Sequence, residues 1–391
     1  MTVRATVRDP ADLTAAWLTA VLGTAVTGVR HEPVGTGQMA ACYRLHLDGD
    51  GCPATLVAKL PPPDVDLGPT AAGAYRNEVA FYAELAPTLA VRAPACHHHA
   101  VTEDGAGFTL LLEDLAPARP GDQVAGCSPG RARDAVVNLA GLHGPRWCDP
   151  TLAEVSTFAP PARGDGDVLA GILASATDTF CDRYGDRLAP PDRDVLEAVP
   201  AVIGAWSGAR PERFAPVHGD YRLDNLLFPD EGGGVAVVDW QTVSLGLPAR
   251  DVAYFLGTCL SVEDRRAHEE ALVAAYHAAL VDHGVVGYRL EACRDDYRFG
   301  LLQGPLIAVL GAAFSQRTAR GDDMFMAMTA RSCAAIRDHG TLALAGGLWS
   351  QIRPGRRSGS GTQPGERRSL KARKPSAGSG PARLASMLMR S

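Results

Sequence analysis

The 391-residue sequence predicts an α+β fold of two unequal parts: a small antiparallel β-sheet with one helix inserted, then a larger, mainly helical body. Three observations carry that expectation. Up to about Leu115, apolar residues recur at every second position in short runs separated by Gly- and Asp-rich turns, as in half-buried strands. From about Pro129 they recur with helical spacing over seven segments. Between those segments, Phe214–Asp239 breaks into short apolar runs and turn residues, the pattern of a loop and a β-ribbon.

Residues 9–22 read as a short amphipathic helix with Leu13, Trp17, Leu18 and Val21 as its apolar positions. Strands are expected at Val29–Val34, Ala41–Leu47 and Thr55–Leu60, with turns at Gly35-Thr36-Gly37 and Asp48-Gly49-Asp50-Gly51. A helix over Ala74–Leu89 carries Val79, Tyr82 and Leu85 on one face. Two further strands, Ala95–Val101 and Phe108–Leu112, are joined by Glu103-Asp104-Gly105, and Glu113–Gly121 connects the two parts. Helices follow at 129–143, 166–186, 190–208, 248–260, 263–283, 289–316 and 321–343. After Ile352 the chain turns to Gly, Ser, Pro and Arg, the composition of a disordered tail. The expected division is 1–115, 116–350 and a basic tail over 351–391.

Composition narrows the function. Hydrophobic residues make up 46% and charged residues 21%, ordinary for a globular protein, and no apolar run approaches the ~20 residues that span a bilayer. Met1–Pro10 lacks the apolar stretch of a signal peptide, so the cytoplasm is the expected location. The nine cysteines are scattered without a CxxC pair, which suits reduced thiols better than disulfides or zinc. Residues 353–391 hold ten basic residues and one acidic one, leaving 28 basic and 43 acidic residues in the body. Such a body repels nucleic acid, and no nucleic-acid or membrane partner is expected. Of three lysines, two (Lys371 and Lys374) lie in the tail; Lys59 is the one lysine of an otherwise arginine-only body. A position that resists that bias calls for a compact ammonium rather than a planar fork.

The chemistry concentrates in Val217-His218-Gly219-Asp220-Tyr221-Arg222-Leu223-Asp224-Asn225, with Val237-Val238-Asp239-Trp240-Gln241 following. Phosphoryl transfer asks a protein for alignment and charge neutralisation. Asp220 can accept or orient the proton of an acceptor hydroxyl. Asn225, five residues on, offers a metal a neutral oxygen, and Asp239 at the end of the ribbon offers a carboxylate. Magnesium favours few carboxylates completed by phosphate oxygens and water.

His-Gly-Asp-x4-Asn followed by Val-Val-Asp resembles the aminoglycoside phosphotransferase and choline-kinase-like superfamily, relatives of protein kinases. Asp-Trp-Gln with Gly246 and Asp251-Val-Ala-Tyr-Phe-Leu is nearest to its ecdysteroid-kinase-like branch. The resemblance covers roughly residues 30–340 and implies a protein-kinase-like bilobal fold that binds ATP and Mg2+ and phosphorylates a hydroxyl of a small molecule. It implies Asp220 as catalytic base and Asn225 and Asp239 as metal ligands. It further implies a strand lysine (Lys59) paired with a helix glutamate nineteen residues later (Glu78), a nucleotide-covering turn with Gly35 and Gly37, and a hinge at Glu113–Leu115 whose backbone meets adenine. The turn lacks a full GxGxxG.

Other residues have plainer readings. His218 and Asp251 are expected to brace the Asp220 loop, and His143 and Trp147 to pack or cap. Trp240 and Gln241 either touch substrate or fill the ribbon. On a strand, His97-His98-His99 alternate in direction and cannot converge on one ion. Asp295, Asp296 and Asp322 are either receivers of a cationic sugar or ordinary exposed helix residues. A silent nucleotide-binding pseudokinase and an aminoglycoside-type antibiotic kinase are the alternatives. Eleven residues between Asp239 and Asp251 leave little room for the activation loop of a polypeptide kinase.

Overall fold

The computed structural model describes residues 6–35, 39–63, 68–158, 164–230 and 234–352. The chain opens with helix α1 (Ala15–Leu22), capped by the Thr14 side chain on the Trp17 N–H and ended by left-handed Gly23. Strands β1 (Gly28–Val34), β2 (Ala41–Asp48) and β3 (Thr55–Leu60) follow, then helix α2 (Gly68–Ala80) and strands β4 (Cys96–Val101) and β5 (Phe108–Glu113). They form one antiparallel sheet of order β1-β2-β3-β5-β4. Period-2 alternation splits its side chains between two apolar clusters. Leu56, Ala58, Leu60 and Leu111 pack beneath α1. Phe108, Leu110 and Leu112 join a second, much larger cluster that continues through α2 into the helical body.

The body comprises β6 (Arg119–Pro120), α3 (Pro129–His143), α4 (Asp165–Tyr184), α5 (Pro190–Ala198), α6 (Pro200–Ser207), β7 (Ala215–Val217), β8 (Leu226–Phe228), β9 (Ala236–Val237), β10 (Ser244–Gly246), α7 (Ala249–Cys259), α8 (Val262–Asp282), α9 (Leu290–Gly300), α10 (Gln303–Phe314), α11 (Ala319–His339) and α12 (Thr341–Ile352). β8 pairs with β6 and β9, while β7 pairs with β10. These short ribbons hold the Asp220 and Asp239 segments between the sheet and the helices.

This is the α+β, kinase-like arrangement that the sequence predicts, with local departures that have physical causes. The helix expected over 190–208 divides at Pro200, which cannot donate to residue 196 and instead starts α6. The 289–316 helix divides at Leu301–Leu302, because Pro305 leaves the Leu301 carbonyl without its helical donor. The helix expected over Ala74–Leu89 begins earlier, at Gly68, ends at Ala80 and continues as a π-turn, Phe81–Leu85, and a 3-10 turn. Gly340, at φ 60°, ends α11 short of residue 343, and α12 starts afresh. Leu290–Phe314 taken together is long and apolar enough by composition to cross a membrane, but 72% of that apolar window is buried inside the protein. The tail expected over 351–391 lies outside the described residues from 353 onward.

Residues 90–92 stitch the sheet end to the body. The Ala90 N–H donates to Gly141 on α3, the Arg92 N–H to Asn138 Oδ1, and the Val237 N–H to the Arg92 carbonyl. A Cβ added at Gly141 would lie 2.8 Å from the Ala90 carbonyl carbon. Helix propensity favours alanine there by about 1 kcal/mol, but backbone cannot yield cheaply to such an overlap. Gly141→Ala is therefore expected to lower the urea midpoint of unfolding, whereas Gly346→Ala in α12, whose Cβ would meet nothing within 4 Å, should not lower it.

Candidate active site

Because Ala58 and Leu60 face α1, alternation turns Lys59 toward α2, which carries Glu78. The Lys59 ammonium donates to Glu78 Oε1 at 2.7 Å and to Asp239 Oδ1 at 2.9 Å. Burial works against the Lys59 charge, but the Asp239 and Glu78 carboxylates outweigh it and raise the lysine above its usual range. Burial raises Glu78, with the Asp239 charge adding to that against the pull of Lys59. Burial pushes Asp239 the same way, yet Lys59 prevails and holds it below the usual carboxylate range. One ammonium between two carboxylates leaves this cleft floor with one excess negative charge. The Asp239 side chain is 39% exposed, and its second oxygen has no partner among the described residues.

β7 leads into the loop that bears Asp220. Asp251, in the first turn of α7, accepts the His218 N–H at 2.6 Å and the Gly219 N–H at 3.0 Å. Thr242 donates to the His218 carbonyl at 2.7 Å. His218 Nδ1 accepts the Asp220 N–H, so Nε2 donates to the Val238 carbonyl, and the ring becomes a strut between the Asp220 and Asp239 segments. Gly219 has φ 80°, and a Cβ on it would lie 2.9 Å from the Thr242 carbonyl oxygen, so glycine is required twice over. His143 is fully buried between the Tyr276 hydroxyl at 2.7 Å and Asp251 at 3.3 Å, behind the brace.

Both oxygens of Asp220 are engaged. The Tyr254 hydroxyl donates to Oδ1 at 2.9 Å; Arg222 Nε and Asn225 Nδ2 donate to Oδ2, each at 3.0 Å. Asn225 Nδ2 also donates to the Asp220 carbonyl. With its nitrogen spent on Asp220, Asn225 keeps Oδ1 for another partner. The Val238 N–H donates to the Asn225 carbonyl at 3.0 Å, which sets Asn225 beside the strand end that delivers Asp239. A free carboxylate oxygen and a neutral amide oxygen on neighbouring chain segments, over a floor with surplus negative charge, fit a hard divalent cation such as Mg2+.

Asp239 has φ 68° and ψ 70°, a left-handed conformation that non-glycine residues adopt only when their surroundings enforce it. The enforcement comes from α2 and the turn after it. Phe81 stacks on Trp240 with centroids 3.6 Å apart and planes within 7°, and Asn77 Nδ2 donates to the Gln241 and Val243 carbonyls. Trp240 is fully buried, so of its two expected roles it fills the ribbon.

The remaining predicted residues are less centrally placed. The Glu113 carboxylate forms a two-pronged ion pair with Arg92 at 2.7 and 2.8 Å, and the Glu113 N–H donates to the Ala95 carbonyl. The Leu115 carbonyl accepts the Ala118 N–H. Gly35 has φ 74° in open space, whereas Gly37 lies outside the described residues. His97 and His99 are exposed on β4, and His98 packs edge-on against Trp17 on the other face. Asp296 and Asp322 are not exposed helix residues. Asp296 is buried between Arg210, Arg213 and the Tyr288 hydroxyl, and Asp322 accepts from Tyr184 and Arg317. Asp295 is exposed, with Arg298 at 3.7 Å.

Tyr254 and Arg222 escaped the sequence reading. A signal existed for the first: Tyr254 lies three residues after Asp251, hence on the same helix face as the group that braces the loop.

The fold is protein-kinase-like, and the chain is a phosphotransferase. Residues 31–287 match the phosphotransferase enzyme family (APH), and the chain belongs to it. Among solved structures, it is similar to a candidate aminoglycoside phosphotransferase from Ralstonia eutropha JMP134, with 18% identity and a TM-score of 0.52 over 83% of this chain and 97% of that one. It is also similar to Cryptosporidium parvum choline kinase, with 9% identity and a TM-score of 0.52 over 82% and 93%. Plasmodium vivax ethanolamine kinase gives 12% identity and a TM-score of 0.51 over 81% and 86%. Among curated proteins, a local match of 53 residues, 49% identical, joins it to acyl-CoA dehydrogenase family member 10 of Mus musculus, and one of 40 residues, 48% identical, to family member 11 of Homo sapiens. These matches take 13% and 10% of this chain and span 5% of the length of each relative.

The buried brace makes a pH prediction. Burial lowers the His143 pKa below its usual 6.5, and the Asp251 contact only partly offsets this. The unfolded chain therefore takes up a proton near pH 6.5 that the folded one resists. Stability from this group is full above that pH and declines as pH falls toward the folded value. The urea midpoint should fall from pH 7.5 to 5.5, and His143→Gln should flatten part of that slope.

Proposed function

We propose that this protein transfers the γ-phosphate of ATP to a hydroxyl group of a small molecule, with magnesium as the metal. The observation that supports the reading best is the joining of Lys59, Glu78 and Asp239 in one ion-paired cluster by elements 180 residues apart in sequence. Asn225 and the donor-loaded Asp220 stand on the adjoining loop.

Each residue then has a task. Lys59, fixed by Glu78, offers its ammonium to the nucleotide phosphates. The Glu113–Leu115 backbone is assigned to the adenine and Gly35 to the phosphates. Asn225 Oδ1 and the free oxygen of Asp239 hold the metal, which when bound neutralises phosphate charge. Asp220, immobilised by three donors, receives the acceptor hydroxyl and takes its proton as the acceptor oxygen bonds to the γ-phosphorus. The bond from that phosphorus to the β–γ bridging oxygen breaks, and its electron pair leaves with ADP. Tyr254 and Asp251 keep the carboxylate aimed.

Charge pairing narrows the acceptor. Asp224 is held by Arg222 and by both terminal nitrogens of Arg320, Asp322 by Arg317 and Asp323 by Arg187. Each of these acids already carries an arginine partner, which favours an acceptor without multiple positive charges over an aminoglycoside.

Asp220→Asn is expected to reduce turnover about 10²- to 10⁴-fold with MgADP binding retained, read by coupled ADP release over a panel of alcohols and by calorimetry. Full turnover in that variant would sink the reading. An acyl-phosphate analogue of ATP should acylate Lys59 and no other site within residues 1–352, as mapped by peptide mass spectrometry, and Lys59→Arg should abolish the label.

A further inference from the structure

Arg222 stands two residues beyond Asp220 with its guanidinium against the carboxylate. Nε donates to Asp220 Oδ2 at 3.0 Å, while Nη1 donates to Asp224 Oδ2 at 3.1 Å and rests on the Met324 sulfur. Nη2 makes no hydrogen bond among the described residues, although only 21% of the side chain is exposed. Burial opposes its charge, but Asp220, with Tyr254 and Asp224, more than restores it.

A fixed cation on a proton acceptor needs a reason, because it competes for the lone pairs the acceptor uses. Orientation is not that reason: Tyr254 already holds one Asp220 oxygen and Asn225 the other. Charge accounting supplies a better one. Glu78, Asp239, Asp220 and Asp224 bring four negative charges, and Lys59, Arg222 and Arg320 bring three positive ones. Lys59 is committed to the sheet side by Glu78 and Asp239. Arg320 is tied to Asp224 and is 58% exposed. On the acceptor side, the one described cation hydrogen-bonded to Asp220 is Arg222, and it has a donor to spare. Phosphoryl transfer builds charge on the three equatorial oxygens as the group moves from leaving to attacking oxygen, and a preset donor there is worth most in a water-poor site.

We propose that Arg222 is a catalytic residue whose Nη2 donates to an equatorial oxygen of the phosphoryl group in flight, while its Nε stays on Asp220. The arginine gains and loses no proton; bonds form and break as described for the proposed reaction, on which this role rests. One side chain thereby fixes the distance between the group that receives the acceptor's proton and the group being transferred.

The test needs no knowledge of the acceptor, because water can take its place in slow ATP hydrolysis. Wild type, Arg222→Gln and Arg222→Lys are compared by calorimetry for MgADP alone and for MgADP with aluminium fluoride, which mimics the planar phosphoryl, and by their ATP hydrolysis rates. Arg222→Gln should bind MgADP within about 2-fold of wild type, lose the tightening given by aluminium fluoride, and hydrolyse ATP about 10²- to 10³-fold more slowly. Arg222→Lys, which keeps charge but not the fork, should fall between, and it carries the test alone if the glutamine variant does not fold. Undiminished tightening in a folded variant, or losses in MgADP binding and melting temperature that run in parallel with the rate, would mean a loop brace and overturn the proposal. A wild-type protein that binds no MgADP overturns the kinase reading and this role together; a wild type that binds and tightens normally, beside a variant that does the same, overturns this role alone.

Discussion

A lone ammonium ties together three stretches of chain that lie far apart in sequence. Lys59 is next to last in β3, Glu78 lies near the end of α2 and Asp239 follows a ribbon 180 residues beyond Lys59, yet both carboxylates lie within 3 Å of the one nitrogen. Charges this deep are costly unless paired and fully hydrogen-bonded, so the packing around them has to be accurate. It is: Phe81 is stacked on Trp240, Asn77 is bound to two ribbon carbonyls, and the apolar cluster behind them runs unbroken from the sheet into the helical body. The pairing remains incomplete, because two carboxylates outnumber one ammonium and a buried Glu78 oxygen has no partner among the described residues. A site with unsatisfied negative charge and a strained aspartate is poised for a cation.

The second half of the site is organised by the same logic at one remove. Asp251 uses both oxygens on backbone N–H groups of the Asp220 loop, His218 links that loop to the Val238 carbonyl, and His143 stands behind Asp251. None of these groups has to touch a substrate. Their work is to make a loop as rigid as a strand, so that the positions of Asp220, Asn225 and Asp239 are fixed relative to one another before anything binds.

Much of this was legible in the sequence, and the limits have physical causes. Thr55–Leu60 and Pro129–His143 match their expected bounds because strand alternation and helical spacing mark them locally. Lys59 stood out by composition and Asp220, Asn225 and Asp239 by spacing. The Tyr254–Asp220 bond and the Arg222 contact with Met324 on α11 were not legible. They join residues whose types are commonplace and whose meeting depends on how helices pack. Asp296 shows the same limit in reverse, since in sequence it is one acid among many in a helix, and only packing buries it between two arginines. Glu113 was found as a connector residue, but its partner Arg92 lies on the far side of a strand pair.

Those packing-dependent pairs bear on selectivity more than on chemistry. The reacting groups follow from a short motif, which is why they are readable; Asp224, Asp322 and Asp323 are instead matched with Arg320, Arg317 and Arg187. An acid already paired with an arginine offers a passing cation less than an unpaired one does, because binding competes with the existing pair. By contrast, an uncharged hydroxyl needs only a hydrogen-bond acceptor and room beside Asp220. The arginines thus do more than stabilise helices: they pair with Asp224, Asp322 and Asp323, while the second oxygen of Asp239 has no partner among the described residues.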